Sequence, residues 1–307
     1  MGVGCLMKCV VTGGCGFIGS HVVDALVARG DSVTVLDDLT TGSLDNLNEQ
    51  ARLVSGSILD TSTVDNAVQG VDCVFHLAAW ARVPLSLENP LGTHQVNVVG
   101  TLNVLEAIRR HKVPRLVYAS SSSVYGNQAT HVFQETMTPD PLSPYGLQKL
   151  IGEQYCTLYA RMFGTTIAAL RYFNVYGPRQ ASEGPYTLVV ARFRQQRDAG
   201  EPITIYGDGL QTRSYVYVDD VVRATLSASV ADLPPARNTI LNIGSDEETS
   251  VLEIARLTGG EVKHIYPNPR GLFEERRKAA DYSRAKALLG WQPAVSFHNG
   301  FALTYPE

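Results

Sequence analysis

Tyr145 and Lys149 stand four residues apart in Pro144-Tyr-Gly-Leu-Gln-Lys149, and Ser121 lies within a run of serines from Ser120 to Ser123. On a helix opening at Pro144, positions i and i+4 share one face, so a phenol and an ammonium are neighbours. A free phenol, with a pKa of about 10, is a poor base at neutral pH. A lysine ammonium beside it, joined by a cationic nicotinamide ring, would stabilise the phenolate and lower that pKa. Ser121 is placed to hydrogen-bond the same substrate hydroxyl and steer its proton. Taken singly, the tyrosine is an amphipathic helix residue, the lysine a solvated charge and the serines a polar loop. They amount to chemistry only if the fold gathers them beside a hydride acceptor.

The acceptor's entrance is Lys8-Cys-Val-Val-Thr-Gly-Gly-Cys-Gly-Phe-Ile-Gly19. Cys9 to Val11 read as a short buried strand, and Phe17, Ile18, His21, Val22, Ala25 and Leu26 follow a helical period. Between them Gly13, Gly16 and Gly19 form Gly-x-x-Gly-x-x-Gly, in place of the commoner Gly-x-Gly-x-x-Gly. Glycines allow the tight turn and a close approach to a pyrophosphate, which the free amides at the helix start would hold. A second apolar run, Val33 to Leu36, ends in Asp37, where a carboxylate would accept from an adenosine ribose. Asp38 follows, with no arginine nearby, and two acids would repel a 2′-phosphate, so NAD is favoured over NADP.

These residues require strands that end at one edge. Apolar strands at 8 to 12, 33 to 37, 51 to 55, 71 to 77 and 114 to 120 alternate with helices, which predicts an α/β fold with a doubly wound parallel sheet of the Rossmann type. The near-continuous apolar character of Cys73 to Leu77 and Arg115 to Ala119 fits strands covered on both faces. Helical stripes run through Val98, Leu102, Leu105 and Ile108, and through Leu147, Leu150, Ile151, Tyr155, Leu158 and Met162, with enough apolar surface to pack on more than the sheet. Beyond Arg171 prolines punctuate shorter elements, predicting a smaller mixed α/β substrate domain. A strand at 239 to 243 is expected to return to the main sheet. The expected division is 1–172 plus about 214–243 for the NAD-binding domain, and about 173–213 plus 244–307 for the substrate domain.

At 307 residues and 44% hydrophobic content, the chain can bury a large core. A formal charge of −4 gives no broad footprint for nucleic acid or an anionic membrane. No apolar stretch is long enough to span a bilayer, and residues 1 to 7 lack the pattern of a signal peptide. The five cysteines form no Cys-x-x-Cys pair and no metal-ligand spacing, and read as reduced, buried thiols of a cytoplasmic protein without a metal site.

The motifs resemble, in order and over nearly the whole chain, the extended short-chain dehydrogenase/reductase family of nucleotide-sugar epimerases and dehydratases, and within it the UDP-glucose 4-epimerase-like enzymes. They are Thr12-Gly-Gly-Cys-Gly-Phe-Ile-Gly19, His76-Leu-Ala-Ala79, Asn97, Ser121 with Val124-Tyr-Gly126, Tyr145 with Lys149, and Arg171-Tyr-Phe-Asn-Val-Tyr-Gly-Pro178. Ile205-Tyr-Gly-Asp-Gly209, Gln211-Thr-Arg213, Tyr217-Val-Asp-Asp220 and Asn242-Ile-Gly244 continue the series. The resemblance implies C4 epimerisation of a UDP-hexose: Tyr145 takes a hydroxyl proton while NAD accepts hydride, the 4-keto sugar turns over, and the hydride returns to its other face. NAD would stay bound throughout. It further implies cofactor contacts from Ser57, Ile58, Leu77, Ala78, Ala79 and Asn97, and substrate contacts from Ser121, Ser122, Asn174, Arg213, Arg270 and Arg276. A homodimer joined by the helices at about 95 to 111 and 145 to 162 is implied as well.

The chain departs from the pattern at three places. The family's dehydratases carry Asp-Glu after the catalytic Ser/Thr and its decarboxylases a glutamate in that loop, where this chain has Ser122 and Ser123. Without an acid to protonate a leaving hydroxyl, simple epimerisation is favoured over the dehydratase and decarboxylase alternatives. Ser57 replaces an aspartate that meets adenine, and Lys278, near the position that gates the sugar pocket, is expected to point to solvent. A non-catalytic NAD-binding sensor and a free-standing oxidoreductase are the competing readings.

Overall fold

Alternate residues of the central strands feed two separate cores. Cys9, Val11, Cys73, Phe75, Val117, Ala119, Ala168 and Leu170 face one, whereas Val10, Val74, Leu116, Tyr118, Ile167 and Ala169 face the other. A period of two with both faces covered produces the unbroken apolar runs of the sequence. The computed structural model describes residues 6–180, 189–267 and 277–306. Its sheet comprises β1 (Lys8–Thr12), β2 (Ser32–Asp37), β3 (Arg52–Ser55), β4 (Cys73–His76), β5 (Arg115–Ser121), β6 (Thr166–Tyr172) and β7 (Asn238–Ile243). The spatial order is β7-β6-β5-β4-β1-β2-β3, with every neighbouring pair parallel. Connections reverse direction between β1 and β4, the place where such sheets open a ligand crevice.

Helices α1 (Phe17–Arg29), α2 (Thr61–Val68), α3 (Thr101–His111), α4 (Pro144–Phe163) and α5 (Val218–Val230) cover the sheet. Val22, Val23 and Leu26 of α1 join Val221, Ala224 and Ala228 of α5 on one face; α2, α3 and α4 line the other. Helix α4 is set by Ser143, whose hydroxyl accepts from the Gly146 amide at 3.1 Å, and by Pro144 in its first turn. It stops at Gly164, which takes φ of +83°.

One feature differs from the sequence reading, and that reading leaves a second open. The segment before α3 is not one regular helix: Pro90–His94 passes into a wider π-turn, Gln95–Gly100, which turns Asn97 inward. The face of α4 against the sheet is not its leucine stripe but Lys149, Gly152, Cys156 and Ala160, while Leu147, Leu158 and Met162 are exposed. Small residues win there because the helix lies so close that a Cβ on Gly152 would come within 2.2 Å of the Tyr118 hydroxyl.

Beyond β6, Thr212–Ser214 pairs with Glu248–Ser250, Ile203–Tyr206 with Val262–Ile265, and Val216–Tyr217 with Val175–Tyr176. Ala279–Ala280 pairs with Val132–Phe133, bringing the preceding residue, Lys278, over the loop that follows β5. Cys9, Cys15, Cys73 and Cys156 are buried and free. Burial pushes the Cys9 thiol up to about 12 and the Cys15 thiol up to about 11, so both stay protonated. Among the described residues no helix is long and apolar enough to cross a membrane.

Candidate active site

The three glycines after β1 have unequal jobs. Gly13 has φ of +73°, and a Cβ there would lie 2.7 Å from the Ala78 amide nitrogen. At Gly19 a Cβ would lie 2.0 Å from the Gly13 carbonyl oxygen. The protein's own packing therefore requires both. Gly16 has φ of −80°, and its nearest obstacle is the Gly13 carbonyl at 3.2 Å. It stands at the start of α1, where no side chain caps the helix and no acid occupies the first turn. The amides of that turn remain available to an anion.

Asp37, at the end of β2, accepts from the Cys15 amide and from the Leu39 amide, each at 2.9 Å. The carboxylate is thus fastened to the glycine turn, a tie that the spacing alone did not reveal. Gly56 donates to the Asp37 carbonyl at 3.0 Å, which sets Ser57 and the buried Ile58 beside it. The Ser57 hydroxyl accepts from Leu59 at 3.4 Å, and Asn103 holds the Ile58 carbonyl at 3.0 Å. A glycine little constrained by packing, free helix amides and a carboxylate at the next strand end fit a dinucleotide.

A buried polar chain crosses the end of β4. Thr101 donates to the Asn97 carbonyl at 2.7 Å, so its oxygen accepts from His76 Nε2 at 2.9 Å. His76 Nδ1 then accepts from the Thr12 hydroxyl at 2.7 Å, and Thr12 Oγ1 accepts from the Ala78 amide at 3.2 Å. The chain assigns the neutral Nε2–H tautomer. Burial, and after it the Lys149 charge, pushes the imidazole down to about 3. Leu77 donates to the Thr12 carbonyl at 3.1 Å, and Asn97 grips both the amide and the carbonyl of Trp80, at 2.8 and 3.2 Å. The segment Leu77-Ala78-Ala79 is thereby held against the glycine turn. Asn97 also donates to Gln148 of α4 at 2.8 Å.

The same sheet edge brings Ser121, Tyr145 and Lys149 together, and all three are buried. The Ser121 hydroxyl is near enough to the Tyr145 hydroxyl to lower its pKa. Lys149 Nζ donates to the Ala119 carbonyl at 2.8 Å and lies 5.1 Å from the centre of the Tyr118 ring. Burial pushes the lysine down to about 8, with Cys156 and then Glu153 opposing it. The expectation of a lowered phenol pKa is not met by the protein alone: burial raises Tyr145, and the Ser121 hydrogen bond only partly offsets it. The Tyr145 amide is held by the Ser86 hydroxyl at 3.1 Å.

Sequence reasoning gave no role to the residues beneath this trio. Glu153, one turn beyond Lys149, takes Arg171 at 2.8 and 2.7 Å and the Ser120 hydroxyl at 2.5 Å. The available signal was an acid at i+4 from the lysine on the sheet-facing side of the helix.

On the other side of the crevice Asn174 donates to the Ser214 carbonyl at 2.8 Å, beside Arg213, whose Nη1 donates to the Thr212 carbonyl at 2.7 Å. The Ser214 amide donates to the Lys278 carbonyl at 2.8 Å. Lys278 does not point to solvent: Nζ donates to the Ser122 carbonyl at 3.1 Å and lies 4.8 Å from the centre of the Phe133 ring. The strand pair at Ala279 holds it inward, where a carbonyl and a π-face replace water. Arg270 and Arg276 lie outside the described residues.

The model of the NAD dependent epimerase/dehydratase family matches residues 9–244. UDP-glucose 4-epimerase of Mycolicibacterium smegmatis is 38% identical over 309 residues, covering 97% of each chain. UDP-N-acetyl-alpha-D-glucosaminuronate decarboxylase of Bacillus cytotoxicus is 35% identical over 97% of this chain and 96% of the relative. Among solved structures, UDP-glucose 4-epimerase of Thermotoga maritima, determined with UDP-glucose, superposes with a TM-score of 0.91 at 39% identity, over 97% of each chain. The motif order, the seven-stranded sheet and these similarities agree, and the chain belongs to the NAD dependent epimerase/dehydratase family, whose cofactor is NAD.

Proposed function

We propose that the protein interconverts the C4 epimers of a UDP-hexose of the UDP-glucose/UDP-galactose type through a 4-keto sugar. The observation that carries this reading is a complete Ser121–Tyr145–Lys149 trio under a loop of serines only. The acid beneath that loop, Glu153, is held by Arg171 and Ser120 and is not free to protonate a leaving group. On this reading the chain's own groups take the following roles. The turn from Gly13 through Phe17 and Ile18 to Gly19 holds the pyrophosphate, Asp37 the ribose, and Ser57 and Ile58 flank the adenine. Leu77, Ala78, Ala79 and Asn97 line the approach to the nicotinamide. When bound, NAD supplies the reversible hydride acceptor that the reaction needs.

Tyr145 takes the C4 hydroxyl proton and later returns it, Lys149 holds the phenolate, and Ser121 aligns the hydroxyl. The raised Tyr145 pKa of the protein alone means that the phenolate forms efficiently only when further positive charge arrives beside it. Asn174, Ser122, Arg213 and the arginines at 270 and 276 hold the diphosphate and sugar while the ring turns. In this reading 1–172 with about 214–243 is the NAD domain and the remainder, about 173–213 with 244–307, the nucleotide-sugar domain. The exposed outer face of α4, with Leu147, Leu158 and Met162, supports a homodimer through a four-helix contact.

A second reading, epimerisation of a uronate, is favoured by one feature: the Lys278 ammonium beside Ser122 suits an anionic sugar. Incubation with UDP-galactose, UDP-glucose and their N-acetylated and uronic forms, followed by NMR of the sugar protons, should show one C4 pair equilibrating without net NADH. A 4-keto-6-deoxy or pentose product would overturn the proposal in favour of dehydration or decarboxylation.

A further inference from the structure

We propose that Glu153, clamped between Ser120 and Arg171, is a positioning residue that locks helix α4 against the ends of β5 and β6, so that Tyr145 and Lys149 meet Ser121. This rests on the epimerase reading of the site. Ser120 and Arg171 are register partners on adjacent strands, one residue below Ser121 and Tyr172. Glu153 reaches both: one oxygen takes the Ser120 hydroxyl at 2.5 Å and Arg171 Nε at 2.8 Å, the other takes Arg171 Nη2 at 2.7 Å. Its backbone carbonyl accepts from Asn238 of β7 at 3.1 Å. A single helical residue thus ties α4 to three consecutive strands.

Around it the sheet-facing residues Gly152, Cys156 and Ala160 are small and apolar, and the other polar ties of the helix to the strands include Lys149 to the Ala119 carbonyl at 2.8 Å and Asn238 to Thr157 at 3.1 Å, both neutral-acceptor bonds. A buried ion pair contributes poorly to stability against an apolar substitute, and its best-attested use is to fix register. Glu153 and Arg171 are both 98% or more covered, so the pair stands at full desolvation cost. The Tyr125 ring lies 4.6 Å from the Arg171 guanidinium carbon, and Arg171 Nη1 is buried without a hydrogen-bond partner.

The clamp also sets the charge around Lys149. The ammonium is acted on by Glu153 and Cys156 from its own helix, by Tyr118 and the Ala119 carbonyl from β5, and by neutral His76 from β4. Arg171 on β6 is masked by Glu153. Without the carboxylate, Lys149 loses a negative charge that holds its proton, and deprotonates at lower pH.

The test is the pH profile of UDP-sugar interconversion, together with a direct NMR titration of the Lys149 side-chain nitrogen, which needs no turnover. Glu153→Gln should lower kcat about 100-fold with KM within about threefold, because a displaced base affects the chemical step. It should also move the alkaline limb and the Lys149 titration down by about one pH unit. Glu153→Gln combined with Arg171→Met also removes the guanidinium left unpaired, and should keep the titration at the lowered position, because the charge that raises Lys149 is Glu153's. Glu153→Asp keeps the charge but shortens the reach, and should lower kcat with the limb in place. If Glu153→Gln does not fold, the double variant and Glu153→Asp decide between the same outcomes. Equal loss at every pH with an unmoved titration, or wild-type kcat in Glu153→Gln or Glu153→Asp, overturns the proposal. If the wild type turns over no UDP-sugar, the epimerase reading fails while the titration still judges the clamp.

Discussion

Alanine substitutions at Gly13 and Gly16 should separate a glycine that the fold needs from one that the ligand needs. At Gly13 an L side chain must adopt φ of +73°, which costs about 1–2 kcal/mol, and its Cβ meets the Ala78 backbone at 2.7 Å. Backbone cannot swing aside as a flexible side chain can, so overpacking adds about 1–3 kcal/mol. The sum, about 2–5 kcal/mol, should lower Tm by roughly 2–4 °C per kcal/mol. At Gly16 there is no dihedral penalty, and the 3.2 Å contact is relieved by a few tenths of an ångström. Replacing glycine by alanine at this helix start should cost under about 1 kcal/mol. That Cβ projects where the pyrophosphate is proposed to approach, so NAD affinity should fall at least about tenfold, equivalent to about 1.4 kcal/mol. Scanning calorimetry of the NAD-stripped proteins and calorimetric titration with NAD measure the two effects separately. A Gly16→Ala protein that binds NAD within about threefold of wild type refutes the placement of the phosphates on α1.

Further outcomes are expected. Tyr145→Phe should lower epimerisation by about a thousandfold with Tm nearly unchanged, measured by initial rates and calorimetry; a loss under about tenfold would remove Tyr145 as the base. Should Tyr145→Phe preserve the protein's biological effect while Asp37→Ala abolishes it, NAD sensing replaces catalysis. His76 is held neutral down to about 3, whereas an unfolded chain protonates near 6.5. Between those values the unfolded state binds more protons, so stability is full above about 6.5 and is lost as pH falls, by up to about 1.4 kcal/mol per unit. Urea unfolding of His76→Gln across pH 4–7 should show a shallower slope than wild type. Leu158→Glu, on the exposed face of α4, should convert a dimer to monomer in light scattering without lowering Tm of the isolated subunit.

Several parts of the site were readable because they are local. The strand–glycine–helix unit at 8–29, the carboxylate ending β2 and the i, i+4 pair at Tyr145 and Lys149 each declare themselves within a few residues. The strands at 8 to 12, 33 to 37 and 114 to 120 fall within a residue of the observed elements, since a doubly covered strand must be apolar throughout. The orientation of α4 was not readable. Its leucines gave the stronger periodic signal, yet the sheet selected Gly152, Cys156 and Ala160, because closeness to Tyr118 excludes larger side chains.

Periodicity by itself determined a parallel α/β sheet, its strand–glycine–helix turn and a tyrosine–lysine helix, because each depends on backbone preferences and on burial repeated along the chain. Tertiary structure alone decided which of the glycines is least constrained by packing, that Asp37 is tied to Cys15, that His76 bridges Thr12 and Thr101, and that Lys278 turns inward to Ser122. The Glu153–Arg171 clamp belongs with these. Each is a contact between segments distant in sequence, and such a contact is set by where the sheet order and helix packing place the side chains, which no local pattern encodes.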